Sequence, residues 1–207
     1  MNDSTSILDA VEAQLGPDAI QKMSTTLGTD TAATSNAIAM AVPILLGALT
    51  KNVANAEGAA ALDEALTQHD GGVLDNLAAF VRSAVSSGAG SSILRHILGS
   101  QRGPVEAGLG RATGLSPQQI GQLLMMLAPL LMGVLGRMKR DQSIDAQKLP
   151  EVLGRASLDM SRQSPAVGDL SRILDSNDDG QIADDVARIG SSVLGGLLGA
   201  GARSNQV

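Results

Sequence analysis

The sequence predicts an all-α fold, a multihelical bundle, and three observations carry that expectation. The 207 residues include no Trp, no Tyr and a single Phe, yet 43% of them are apolar. Ala, Leu, Ile, Val and Met must therefore build the core, which suits close-packed helices better than strands, because strands favour aromatic and β-branched residues. No segment alternates polar and apolar residues over five positions, whereas apolar stripes with helical spacing recur along most of the chain. Gly and Pro interrupt those stripes where helix ends are expected.

Each element follows from such a stripe. Ile7, Leu8, Val11 and Leu15 make a first helix, stopped by Gly16. Pro17 opens a second, through Ile20, Met23 and Leu27, since proline lacks only an N–H that a first helical turn leaves unused. Thr31 to Thr50 is free of charge and reads as a long apolar helix with Pro43 inside it. Glu57 to Leu66 is Ala-rich and helical, broken at His69-Asp70-Gly71-Gly72. Leu74, Leu77, Val81 and Val85 form a further stripe, and Ile93, Leu94, Ile97 and Leu98 another that ends at Gly99. A second charge-free stretch, Leu115 to Gly136, holds Pro129. Its apolar part, Leu123 to Gly136, is shorter than the ~20 residues a membrane span needs, so a buried central helix is expected and no span. Ile189, Val193, Leu194, Leu197 and Leu198 give a final Gly/Leu helix, with Gly195 and Gly199 one turn apart. Several glycines in one helix call for close packing on the chain's own core or for self-association through this segment.

The two long helices belong to an internal repeat. At an offset of 86 residues Gly28 falls on Gly114, Met40 on Met126, Pro43 on Pro129, Leu45 on Leu131, Gly47 on Gly133 and Leu49 on Leu135. Asp30 falls on Ser116, and both are good N-caps two residues after a glycine. Two tandem copies of a short helix, a capped turn and a long helix with a proline kink are expected. The organisation that follows is a two-repeat core over 1–140, a partly helical linker over 141–168, and a helix–acidic loop–helix segment over 169–203.

Composition narrows the function classes. The net charge is −6 and no aromatic platform exists, a poor match to nucleic acid. Cysteine is absent, so thiol chemistry is excluded. The polar, acidic Met1-Asn2-Asp3 start lacks a secretory signal pattern, and a water-soluble, cytoplasmic protein is expected. Phosphate-binding and hydrolase motifs are missing. His69, before an Asp-Gly-Gly turn, reads as a loop residue, and His96 as a helix histidine with its hydrogen bonds met. An enzyme is not expected.

One constellation has chemistry. Asp175, Asn177 and Asp179 occupy positions 1, 3 and 5 of a calcium-loop pattern, with Gly180 at the sharp turn and the Gln181 carbonyl at position 7. Position 12, where a bidentate Glu belongs, is Val186, which cannot coordinate; Asp184 and Asp185 are the carboxylates left to substitute. The spacing favours low-affinity calcium binding over its rival, a solvated turn with acidic residues at a helix N-terminus.

These landmarks together resemble the YidB-like family of bacterial proteins, a domain family of unknown function. The matching segments are Gln14-Leu15-Gly16, Ala41 to Gly47 around Pro43, His69 to Leu77, Ile93 to Gly99, Met126 to Gly133 around Pro129, and the acidic loop from Asp175 to Asp185. The resemblance implies an all-helical, bacterial, non-enzymatic protein and assigns no catalytic residue. Proteins of this pattern tend to carry Asp at the third loop position, where this chain has Asn177. The expected function is that of a helical interaction or scaffolding protein with an unknown protein partner. The alternative is a calcium- or magnesium-responsive switch, in which the acidic loop controls docking or self-association of the Gly/Leu helix.

Overall fold

The computed structural model describes residues 7–69, 71–75, 88–142 and 144–163. Every regular element among them is helical, as expected: α1 (Ile7–Gln14), α2 (Pro17–Leu27), α3 (Thr31–Asn52), α4 (Ala56–Gln68), the single turn α5 (Gly72–Asp75) and α6 (Ala89–Leu98). A 3-10 turn (Gly99–Gln101) then leads into α7 (Arg102–Thr113), α8 (Pro117–Gln142) and α9 (Leu149–Gln163).

Two turns share one chemistry. Gly28 ends α2 at φ 65°, a left-handed conformation that a Cβ disfavours, and the next N–H, of Thr29, returns to the Ser24 carbonyl at 3.0 Å. Asp30 Oδ1 then accepts the Ala33 N–H at 2.7 Å and starts α3. Gly114 ends α7 at φ 76°, and Ser116 Oγ accepts the Gln119 N–H at 3.2 Å to start α8. Gln119 Oε1 accepts the Ser116 N–H in return at 2.9 Å, which completes a reciprocal capping box. The same Gln119 donates through Nε2 to the Leu27 carbonyl at 3.2 Å, so the two turns lie side by side.

The centre of the molecule is α8. It touches every described helix that precedes it in the chain, from α1 to α7. Ile120, Leu123, Leu124, Met126, Leu127, Leu130 and Leu131 are all at or below 1% exposure. The five leucines expected in the core, Leu45, Leu49, Leu127, Leu131 and Leu135, are buried. Each such side chain contributes about 1.5–3 kcal/mol by leaving water. By length and composition both α3 and α8 reach the size of a membrane span, longer than the apolar run Leu123 to Gly136 suggested. The most apolar stretch of α8 is 83% buried inside the protein, and that of α3 50%. For α8 the apolar surface is thus already covered by protein.

Backbone reaches backbone closely at Gly90 and Gly136 among other glycines. A Cβ on Gly90 of α6 would overlap the Met125 carbonyl of α8. One on Gly136 of α8 would overlap the His69 carbonyl at the end of α4. Residues 141–168, expected as a partly helical linker, include α9, which lies on α3 and buries Leu149 and Leu153. Of the expected stripe 74–85, Leu74 is buried and residues 76–87 lie outside the described residues. So do the acidic loop and the Gly/Leu helix.

Candidate functional site

An open groove lies where the end of α3, the length of α4 and the face of α6 meet beside α8. Local chemistry fixes its walls. Asn55 caps α4, its Oδ1 accepting the Gly58 N–H at 2.7 Å. Gly58 faces the Asn52 carbonyl so closely that no side chain fits there, which makes the α3–α4 turn tight. Asn52 Nδ2 donates to the His96 and Ile97 carbonyls, each at 3.1 Å. Those are carbonyls a helix end leaves without a helical partner, so Asn52 ties the end of α3 to the end of α6.

The other wall is held by α8. Lys139 Nζ donates to the Asp63 carbonyl at 2.8 Å and to Thr67 Oγ1 at 2.9 Å, and forms an ion pair with Asp63 Oδ1 at 2.7 Å. Side-chain exposure of the pair is 18% and 29%, enough water to keep its worth modest. With Gly136 beneath the α4 terminus, these bonds set the position of α4 from the floor side.

Between the walls is a space of about 640 Å³. Leu49, Leu62, Ala65, Ile97 and Met132 supply apolar surface, and Asn55, Glu57, Gln68, His69, Ser92 and His96 polar groups. Each histidine places Nδ1 on the carbonyl one turn back, His69 on Ala65 at 3.1 Å and His96 on Ser92 at 2.8 Å. A carbonyl only accepts, so Nδ1 is the donor in each bond. Among the described residues of the lining Glu57 is the single carboxylate, and no lysine or arginine joins it. Such a surface offers apolar contact and hydrogen bonding.

The six residues expected to hold an ion, Asp175, Asn177, Asp179, Gln181, Asp184 and Asp185, all lie outside the described residues. Among the described residues no group of three or more His, Cys, Asp or Glu side chains is arranged to hold a metal. His69 and His96, set aside from sequence as a loop and a helix residue, line the same groove from two helices. The signal that unites them was an outward apolar edge, Ala61 and Ala65 on one helix and Ile93 on the other. In sequence that edge reads as ordinary helix surface.

No curated protein and no solved structure matches the chain. Residues 9–138, well over half of the 207, match a family of bacterial proteins of unknown function, DUF937. The match spans α1 to α8 apart from the first and last residues, and so takes in both walls of the groove. The chain belongs to this DUF937 family, which includes the YidB-like proteins.

Proposed function

We propose that the chain is a non-enzymatic, cytoplasmic interaction module that takes an apolar helical segment of a partner protein into the groove between α4 and α6. The observation that carries this reading is the groove itself: an apolar floor left open beside a helix whose other neighbours close over it. A helix about 10 Å across fills the groove's volume in roughly a turn and a half, so the partner inserts a few side chains rather than a long helix. With Glu57 as the lone formal charge among the described lining residues, neutral or basic flanks are favoured.

The fold reading beneath it is a duplication. We take α2–α3 and α7–α8 as two copies of one helical pair, because at the offset of 86 residues their starts and ends agree to within a few positions. Their left-handed glycines, N-caps and internal prolines correspond as well. The second functional reading, an ion-responsive switch, is favoured by the Asp175, Asn177, Asp179 and Gly180 spacing alone.

A fluorescein-labelled amphipathic peptide of Leu and Lys is the probe for the groove. Ala61 lines it and Ala60 does not, although both are exposed on α4. Ala61→Arg is expected to weaken binding about tenfold or more, the loss of 1.4 kcal/mol or above, while Ala60→Arg leaves it unchanged. Equal affinity for the two variants in an anisotropy titration places the probe elsewhere and refutes the groove. Competition by a small apolar compound, with no peptide binding, assigns the groove to a small ligand instead.

A further inference from the structure

The outer face of α3 has the features that seat a helix on α8, without a described helix on it. Pro129 has no N–H, so the Met125 carbonyl, four residues back, loses its helical donor. Gly90 of α6 lies directly against that carbonyl, in the close approach that allows a Cα–H···O contact. At the offset of 86 residues, Pro43 of α3 deprives the Ala39 carbonyl in the same way. Around it Ala32, Asn36 and Ala39 are exposed, and Met40, Pro43, Ile44 and Gly47 are half-buried. A Cβ placed on Gly47 would meet nothing within 4 Å.

We propose that this face of α3 is the seat of the chain's own Gly/Leu segment, residues 189–200, which docks there as α6 docks on α8. The inference rests on the duplication reading and is independent of what fills the α4–α6 groove. An occupant must bring a glycine to the Ala39 carbonyl and apolar side chains to Met40 and Ile44. The segment offers Gly195, Gly196 and Gly199 among Val193, Leu194, Leu197 and Leu198. It also starts from the right side of the molecule, since α9, the last described helix, already lies on α3. Residues 164–188 join it to α9; that many residues reach at most about 80–90 Å, ample against a domain radius of ~15 Å. Covalent linkage to α9 makes docking on α3 an intramolecular event, so it needs weaker contacts than a separate partner would.

The chain has no cysteine, so one introduced thiol reports the face without background. In the full chain, Ala39→Cys is expected to react with maleimide about tenfold more slowly than Ala60→Cys, the ratio for a face closed nine-tenths of the time. Adding Leu194→Asp with Leu198→Asp restores the fast rate. Gly195→Leu with Gly199→Leu also restores it, although that pair adds apolar surface, because the close approach is lost. Equal rates for the two thiols in the unaltered tail overturn the proposal. So does protection that survives both tail variants, which means that something else covers the face. Protection that fades on dilution assigns the seat to a second copy's tail and overturns the intramolecular docking. The α6–α8 template is tested separately by Gly90→Ala, so failure of that packing and failure of tail docking give different results.

Discussion

Gly90→Ala puts a methyl group where the Met125 carbonyl already stands. The obstacle is backbone of a buried helix, so it cannot swing aside as the end of a flexible side chain would. Instead α6 must back away from α8, loosening Leu94, Ile97 and Leu98, all at or below 5% exposure. Overpacking of this kind costs about 1–3 kcal/mol, and alanine returns at most ~1 kcal/mol of helix propensity. A net loss of about 1–2 kcal/mol is expected. Gly154 of α9 is the matched control, because a Cβ there meets nothing within 4 Å. Gly154→Ala keeps the propensity gain of up to ~1 kcal/mol. The two variants should therefore melt about 4–12 °C apart, at 2–4 °C per kcal/mol for a domain of this size. With no Trp or Tyr in the chain, the readout is helical ellipticity at 222 nm rather than intrinsic fluorescence. A Gly90→Ala melting temperature equal to or above that of Gly154→Ala would refute the backbone contact and the packing of α6 built on it.

Leu131→Ala, at 1% exposure in the middle of α8, is expected to cost about 2–5 kcal/mol in urea denaturation, and a loss below ~1 kcal/mol contradicts a central α8. For the acidic loop, calorimetry is expected to show calcium binding with a dissociation constant on the order of 10⁻⁴–10⁻³ M, because Val186 cannot supply the bidentate ligand. Asp175→Ala with Asp179→Ala should abolish the calcium-dependent rise in melting temperature and leave the helical core intact. Identical melts in calcium and chelator for the unaltered chain leave only the capped-turn reading of that loop.

The helices were legible because their signals are local. The stripe Ile20, Met23 and Leu27, the stop at Gly28 and the cap at Asp30 act within a few residues, and α2 and α3 start and end where they say. Burial of Leu127 and Leu131 was legible for the same reason, since an uncharged 22-residue stretch must be hidden. The linker around Leu149 to Leu158 was harder to read. Its stripe is narrow because α9 meets the core along one line, with Leu149 and Leu153 inward and Glu151 and Arg155 exposed. The groove was not legible at all. Leu49, Leu62 and Ile97 come from three helices, and no periodicity within one helix says which part of its apolar stripe a neighbour will leave uncovered.

A core helix that touches all its predecessors also constrains how the protein is made. Helices α1 to α7 leave the ribosome before α8, and each packs on α8, although α3 also packs on α2, α6, α7 and α9. At 5–20 residues per second, the interval between the emergence of α1 and of α8 is on the order of ten seconds. For that time the nascent chain exposes Ile7, Val11, Leu45 and Leu66 with their eventual neighbour still unsynthesised. Burial of those side chains against α8 therefore waits until α8 is made.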